Sequence, residues 1–151
     1  MRHPVAESLA AHLEDAGCAV VRCGAVGAGD TPWPQVAEQV ARLVAQGVVD
    51  QGVVCCWTGT GVTIAANKVP GIRAALCGDA QTAAGARRWN DANVLTISLR
   101  ATSEAVMREV VDAWLSAVEI DPGERENIAA VAAIEQRYQG RAAVGATERR
   151  D

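Results

Sequence analysis

The sequence predicts an α/β protein, a single domain over residues 1–140 in which a parallel sheet carries helices on both faces. Short apolar runs rich in Val, Ile and Cys alternate along the chain with segments of helical periodicity. Strands and helices that alternate in this way are joined by right-handed crossovers, which put helices on both faces of a parallel sheet. The 151 residues suffice for one domain with one substantial core. Because Phe is absent and half of the residues are hydrophobic, we expect a core of Ala, Val, Leu and Ile.

Apolar spacing and capping residues place each element along the chain. The first predicted helix has Val5, Leu9 and Leu13 on one face. Thr102 or Ser103 is available to cap a long helix that runs to about residue 115. Besides this long helix, the predicted helices are 4–16 (the first helix), 35–46, 62–68, 81–90 and 126–139. The predicted strands are 18–22, 52–56, 72–77 and 94–98, with a Gly- and Pro-rich loop at 24–34 and a flexible C-terminal tail at 141–151.

The composition limits the partners that the protein can have. A formal charge of −4 without a long basic run argues against a nucleic-acid partner. No apolar run reaches the roughly 18 residues of a membrane span, and the N-terminus lacks the apolar segment of a signal peptide. We therefore expect a cytoplasmic protein whose partner is a small molecule or another subunit.

The five cysteines do not suggest a metal site or a disulfide framework. None of them has the C-x-x-C spacing, and two are adjacent. Most are therefore expected to be small core residues. Their positions are Cys18, Cys23, Cys55, Cys56 and Cys77.

The candidate active site is the stretch 53–68, in which a buried-strand pattern ends at Cys55 and Cys56 and a Gly/Thr-rich loop leads into a helix. A thiol at the carboxyl end of a parallel strand, just before a helix N-terminus, lies where α/β proteins bind anions and where the pKa of a cysteine is lowered. Successive side chains of a strand point to opposite faces, so we expect Cys56 and not Cys55 to face the pocket.

Three common anion-binding motifs are missing from this stretch. The phosphate loop of nucleotide triphosphatases needs a Lys that does not follow Gly61, and Ile64 occupies the third small position of the dinucleotide pattern. A low-molecular-weight phosphatase would have an Arg six residues after the thiol, where Val62 follows Cys56. The sequence therefore argues against all three kinds of anion-binding site.

The groups that remain suit proton abstraction beside a carbonyl. Cys56 would take the proton, while Thr58 and the backbone N–H groups from Gly59 to Thr63 would stabilise an enediolate oxygen. Nothing in the stretch would supply a metal. The alternative is that Cys56 is a core residue and that the glycines only form a tight turn.

The motifs resemble those of the type B ribose-5-phosphate isomerases and their galactose-6-phosphate isomerase relatives. The resembling segments are 56–68, 70–75, 90–95, 111–115 and 133–137, which together span nearly the whole chain. The resemblance implies a flavodoxin-like three-layer parallel sheet, a homodimer or homotetramer with active sites shared between subunits, and no metal or organic cofactor. It implies that Cys56 is the base that moves a proton between C1 and C2 of an open-chain sugar.

The resemblance also implies roles for other residues of the site. Thr58 and the amides around Gly59, Thr60, Gly61 and Thr63 match the anion-stabilising groups, and Asn90 matches a substrate-contacting Asn. Three tryptophans near the predicted pocket, Trp33, Trp57 and Trp89, would make it smaller and more apolar, although one or two of them could be core residues.

Several departures from the family pattern bear on the substrate. The family's first strand, which ends in an Asp-His pair, has no counterpart here, and Trp89 replaces a His implicated in ring opening. The absent strand would leave a gap beside 52–56 or force 18–22 to pair there directly. The two phosphate-binding arginines fall at Gly123 and Asn127, so that only Arg125 lies nearby.

These observations favour an aldose–ketose isomerase with an altered substrate, a smaller or unphosphorylated sugar. The alternative is a non-catalytic family member that binds a metabolite or serves assembly. Retention of Cys56 and Thr58 favours the first hypothesis, whereas Trp89 and the missing arginines favour the second.

Overall fold

The computed structural model describes residues 3–27 and 29–147, with side chains described as far as residue 139. Within this range three strands alternate with six α-helices. The helices are α1 (Pro4–Asp15), α2 (Trp33–Ala45), α3 (Thr60–Ala66), α4 (Ala80–Asn90), α5 (Glu104–Ser116) and α6 (Arg125–Thr147), and the strands are β1 (Gly52–Cys56), β2 (Ala74–Leu76) and β3 (Val94–Ser98). Short 3-10 turns lie at Gly24–Val26 and Pro122–Glu124.

The predicted parallel α/β class is confirmed, and the last strand of the chain lies in the middle of the sheet. The order is β1-β3-β2, and β3 pairs in parallel with both neighbours. Gly52 and Ala74 both lie opposite Val94, and Cys56 lies opposite Ser98. The crossover from β1 through α3 to β2 therefore leaves room for β3 to enter between them later in the chain.

The two faces of the sheet carry separate apolar clusters, which gives the predicted three layers. Leu95 and Ile97 of β3 pack with α1, α4 and α5, and Trp114 is the largest fully buried side chain of that cluster. Val94 packs on the other face with α2 and α3. As predicted, these clusters consist mainly of Ala, Val, Leu and Ile.

Most element boundaries agree with the predictions, and the differences have local causes. The strands 52–56 and 94–98 have the predicted bounds, whereas 72–77 shortens to Ala74–Leu76. Helix α2 begins at Trp33 because Pro34 is tolerated in a first helical turn, where its missing N–H costs nothing. Ser103 caps α5 by accepting a hydrogen bond from the Val106 N–H. Helix α6 continues to Thr147, past the predicted end at 139, and residues 148–151 of the predicted tail lie outside the described residues.

The predicted strand at 18–22 is wrong. Residues 18–23 are assigned no strand, and β1 is an edge of the sheet among the described residues. A cavity of about 680 Å³ is lined by residues of this segment and of β1, together with Gly17, Val48 and Leu99. The segment does not pair with the free edge of β1, so its β-rich sequence forms no strand. Of the two expected consequences of a missing strand, the structure has the gap.

Candidate active site

The turn that follows β1 requires glycine at one position. Gly59 adopts a left-handed backbone with φ 78°. A Cβ at this position would lie 2.5 Å from the Leu76 Cδ1 and 3.2 Å from the backbone of Ile97 and Ser98. The turn is thus pressed against β3, the central strand, which fixes the start of α3.

Backbone groups after β3 hold the first two carbonyls of the turn. The Leu99 N–H donates to the Cys56 carbonyl at 2.9 Å, and the Arg100 N–H donates to the Trp57 carbonyl at 2.9 Å. The Ser98 hydroxyl donates to the same Trp57 carbonyl at 3.1 Å. The pairing of β1 with β3 therefore continues beyond the strands and into the turn.

Hydroxyl groups complete the turn. The Thr63 hydroxyl donates to the Gly59 carbonyl at 2.7 Å and is 2.6 Å from the hydroxyl of Thr96, which is fully buried. The Thr63 N–H also donates to the Gly59 carbonyl, so both polar groups of this residue are bonded within the protein. The hydroxyls of Thr58 and Thr60 lie 2.8 Å apart on the exposed side of the turn.

The two adjacent cysteines have different surroundings. Cys55 packs against the cluster with Leu95 and Ile97, and burial raises the pKa of its thiol to about 12, with a smaller contribution from Cys56. Cys56 packs at the edge of the opposite cluster, at the start of the turn. Desolvation thus keeps Cys55 a neutral core thiol and leaves Cys56 as the candidate base.

All three tryptophans of the predicted pocket are about half exposed, so none of them is a core residue. The exposed fractions are 51% for Trp33, 51% for Trp57 and 49% for Trp89. The Trp33 ring lies over Gly61, where an added Cβ would be 3.0 Å from the ring. Trp33 and Trp57 therefore flank the turn, and the Trp89 ring lies over Gly85 of its own helix.

The predicted site residues lie at two opposite ends of the molecule. Helix α4 runs from the carboxyl end of β2 to the amino end of β3, so Trp89 and Asn90 lie at the amino edge of the sheet. The Asn93 carbonyl accepts a hydrogen bond from the Gly52 N–H at that edge, four residues before Cys56. Four residues of strand span roughly 13 Å, so Asn90 and Cys56 cannot meet within one subunit.

Arg125 belongs to the same amino end as Asn90. It begins α6, and the preceding Asp121 N–H donates to the Arg88 carbonyl at 2.8 Å. Further along α6, the Glu135 carboxylate accepts from the Gly71 N–H, just before β2. The site residues thus form a carboxyl-end group around Cys56 and an amino-end group of Trp89, Asn90 and Arg125.

Sequence reasoning missed Thr96 and Ser98. Both are hydroxyl residues at alternate positions of β3, which place them on one face of the strand, and this spacing is visible in the sequence. Their significance was hidden because it depends on β3 lying beside β1, which the chain order does not reveal.

The cavity beside β1 is distinct from the candidate site. Its lining includes Cys55 and Trp33 but neither Cys56 nor Thr58. The residues Trp57, Thr58 and Thr60 of the turn are exposed in the single subunit. Within the described residues, no His, Cys, Asp or Glu side chains gather in groups of three that would hold a metal. The same part of the chain has no helix that is long and apolar enough to cross a membrane.

Comparisons with known proteins agree with the fold. Residues 2–134 match the family model described as Ribose/Galactose Isomerase. The chain is 40% identical over 129 residues to ribose-5-phosphate isomerase B of Escherichia coli (strain K12), covering 85% of this chain and 87% of that protein. It is 36% identical over 107 residues to D-erythrulose-4-phosphate isomerase of Pectobacterium atrosepticum, covering 70% of each chain. The structure matches Clostridium thermocellum ribose-5-phosphate isomerase B with a TM-score of 0.83 and 35% identity, covering 89% of this chain and 90% of that chain.

Fold and relatives together define the class as an aldose–ketose isomerase. The chain belongs to the Ribose/Galactose Isomerase family. The predicted membership and the predicted flavodoxin-like fold are therefore confirmed.

We expect an alkylating reagent such as iodoacetamide to label Cys56 much faster than Cys55 at pH 7–8. A pKa of about 12 leaves almost no Cys55 thiolate at this pH, and only the thiolate reacts. Labelling of Cys55 should increase only as the pH approaches 12. Peptide mapping by mass spectrometry distinguishes the two sites in Cys55→Ala and Cys56→Ala controls. Faster labelling of Cys55 would contradict the assignment.

Proposed function

We propose that the protein interconverts an aldose and its ketose through an enediolate, with Cys56 as the base. The thiolate takes the proton from C2 of the open-chain aldose, and the electron pair of that C–H bond forms the C1–C2 double bond while O1 becomes the oxyanion. A proton then moves from the O2 hydroxyl to O1, the Cys56 thiol returns its proton to C1, and C2=O2 becomes the ketone, so that no redox partner is needed. The observation that carries the proposal is the turn, which begins at Cys56 and carries the exposed hydroxyls of Thr58 and Thr60 within the next four residues.

Stabilisation of the enediolate is assigned to Thr58 and the N–H groups of the turn. The N–H groups of Thr58, Thr60 and Gly61 have no hydrogen-bond acceptor among the described residues. Oriented N–H donors of this kind stabilise a developing oxyanion without rearranging during the reaction. In this proposal the roles of Gly59 and Thr63 are to shape the turn.

We propose further that the active site forms between two copies of the chain. Cys56 and Asn90 belong to opposite ends of one subunit, and a two-fold axis would bring the carboxyl end of each to the amino end of the other. The exposed face of α6 supports this arrangement, since Val131, Ile134 and Tyr138 are each more than half exposed. A dimer would cover apolar surface that a monomer leaves in water.

The segment 123–127, where the family binds phosphate, suggests that the phosphate group of a substrate would be bound weakly here. Gly123 and Asn127 occupy the positions of the family's phosphate-binding arginines, and the Asn127 side chain donates to Glu124. Only Arg125 is left to meet a phosphate from this segment. The relative that acts on D-erythrulose 4-phosphate, a four-carbon sugar phosphate by its name, supports a smaller substrate. The half-exposed rings of Trp33 and Trp57 would reduce the space for a longer sugar.

A non-catalytic role is the second candidate, and one observation favours it. Trp89 stands where the family has a His implicated in ring opening. An indole N–H donates a hydrogen bond, but it does not act as a general acid or base at neutral pH. Such a protein would bind a sugar without turning it over. Its predicted cytoplasmic location stays a prediction in either case.

The role of Cys56 is tested by isomerase assays on erythrose 4-phosphate and ribose 5-phosphate. We expect Cys56→Ala to lower kcat at least about 100-fold, because proton transfer by a positioned base contributes about 10²–10⁴. Cys55→Ala is the matched control, since it removes a thiol one residue away that packs against the apolar cluster on the other face of β1. We expect this control to keep most of the activity. Equal activity in Cys56→Ala and wild type would remove the base from the proposal.

The shared site is tested with a hybrid dimer that is co-expressed with two affinity tags and purified through both. We expect Cys56→Ala and Asn90→Ala homodimers to be nearly inactive, because each lacks one end of both sites. The hybrid should recover about half of the wild-type activity, since one of its two sites combines two intact ends. Light scattering should give twice the chain mass of 15.7 kDa. A monomer, or a hybrid as inactive as its parents, would contradict the shared site.

The substrate proposal is tested by restoring the two arginines. We expect wild type to turn over ribose 5-phosphate poorly, and the Gly123→Arg/Asn127→Arg variant to bind it roughly ten- to a hundred-fold better per new contact. The gain for free ribose should be much smaller, since that sugar has no phosphate. Efficient turnover of micromolar ribose 5-phosphate by wild type would show that phosphate is held elsewhere.

A further inference from the structure

We propose that Ser98 and Thr96 of β3 are positioning residues that aim the Thr58 and Thr60 N–H groups at the reacting oxygen. This inference rests on the proposed isomerase function and adds two residues to its machinery. Neither residue needs to touch the substrate. Each residue holds a carbonyl of the turn in place. Because the peptide bond is planar, a fixed carbonyl also fixes the direction of the N–H of the next residue.

The peptide bond converts a held carbonyl into an oriented N–H. In a planar trans peptide, the C=O of one residue and the N–H of the next point in opposite directions. Fixing the Trp57 carbonyl therefore fixes the Thr58 N–H, and fixing the Gly59 carbonyl fixes the Thr60 N–H. All peptide bonds of the described chain are trans.

Ser98 fixes the first of these peptide units. Its hydroxyl donates to the Trp57 carbonyl at 3.1 Å and accepts from the Ala101 N–H at 3.3 Å. The Arg100 N–H donates to the same carbonyl at 2.9 Å. These two donors hold the Trp57 carbonyl towards the segment after β3, so the Thr58 N–H points away from that segment. The Thr58 N–H has no acceptor among the described residues.

Thr96 fixes the second unit through Thr63. The Thr63 hydroxyl has one proton, which it donates to the Gly59 carbonyl, because a carbonyl only accepts. The Thr96 hydroxyl must then donate its own proton to Thr63, at 2.6 Å. The two hydrogen bonds therefore run in one direction: the fully buried Thr96 hydroxyl donates to the Thr63 hydroxyl, and the Thr63 hydroxyl donates to the Gly59 carbonyl. The Thr60 N–H, on the opposite side of that peptide, is again without an acceptor in the described chain.

The two constraints converge on one side of the turn. Thr58 and Thr60 are exposed, and their hydroxyls contact each other at 2.8 Å, so the two residues lie side by side on the exposed side of the turn. Gly59 between them is buried and left-handed, which makes the turn reverse its direction there. An oxygen bound at this surface would receive two aimed donors, and their aim depends on two hydroxyls of the neighbouring strand.

Two pairs of variants test this inference. Ser98→Ala and Thr96→Val remove the hydroxyls with little change in volume, whereas Ser98→Thr and Thr96→Ser keep them. Ser116→Ala is the matched control, because the Ser116 hydroxyl also donates to a carbonyl, that of Asp112, at 2.7 Å but in α5 and away from the turn. A structural loss alone would lower the thermal stability of all three hydroxyl-free variants without a specific effect on kcat.

The first measurement is the backbone order parameter of the Thr58 and Thr60 amides by ¹⁵N relaxation, in protein without substrate. We expect order parameters of about 0.85, typical of a rigid backbone, in wild type, in Ser116→Ala and in the two hydroxyl-keeping variants. Ser98→Ala should lower the value for Thr58 and Thr96→Val that for Thr60. Unchanged values in both hydroxyl-free variants would overturn the inference, whatever the enzyme does with sugars.

The second measurement is isomerase kinetics on the better of the two sugar phosphates. We expect kcat to fall about tenfold in Ser98→Ala and Thr96→Val with KM within about twofold, because misaimed donors weaken the transition state more than the ground state. Ser98→Thr and Thr96→Ser should recover most of kcat. Loosened amides with unchanged kcat would also overturn the inference. An inactive wild type would instead refute the proposed function, and the relaxation data would still decide the positioning.

Discussion

The parallel pairing of β1 with β3 is the interaction on which the rest of the site depends. β3 is the last strand of the chain, yet it lies at the centre of the sheet and contributes buried residues to both apolar clusters. The same ladder continues past Cys56, where Leu99 and Arg100 hold the next two carbonyls. The turn that carries the candidate base is therefore shaped by a segment about 40 residues later in the chain. Glycine is needed at position 59 because the backbone is left-handed there, and because Leu76 and the backbone of β3 leave little space for a Cβ.

The free edge of β1 is the other consequence of this sheet. β1 has β3 on one side and a cavity of about 680 Å³ on the other, beyond which the segment 18–23 runs without strand pairing. The cavity lies beside Cys55, whose thiol is held neutral by burial, and it does not reach Cys56. The fold thus separates this cavity from the candidate base Cys56.

The sequence was sufficient for the elements whose signals are local. The strands 52–56 and 94–98 and the Ser103 cap follow from short apolar runs and one hydroxyl, and they have the predicted positions. Segment 18–22 has an equally apolar pattern but no neighbour to pair with, and pairing is a non-local property that a single segment does not reveal. For the same reason Thr96 and Ser98 escaped notice, since their role arises only when β3 lies beside β1.

The family resemblance implies sites shared between subunits, but the motifs themselves do not show how the site residues divide between the two ends of one chain. Asn90 and Cys56 belong to motifs that suggest one pocket, and only the direction of α4 shows that a whole strand length lies between them. The same topology explains why the segment before Arg125 contacts the end of α4, where the Asp121 N–H donates to the Arg88 carbonyl, since α4 and α5 both end at the amino edge. In the proposed function each chain then carries two half-sites, which a second copy would complete.

The most direct test of this account is a chemical cross-link between the two half-sites. Asn90→Cys protein, prepared as a mixture of ¹⁴N- and ¹⁵N-labelled chains, is treated with a short bifunctional maleimide and mapped by mass spectrometry. The account predicts cross-linked peptides that join Cys56 of one chain to position 90 of another, with mixed isotope labels in about half of them. Cross-links confined to single chains, or none between these two positions, would contradict a site shared between subunits.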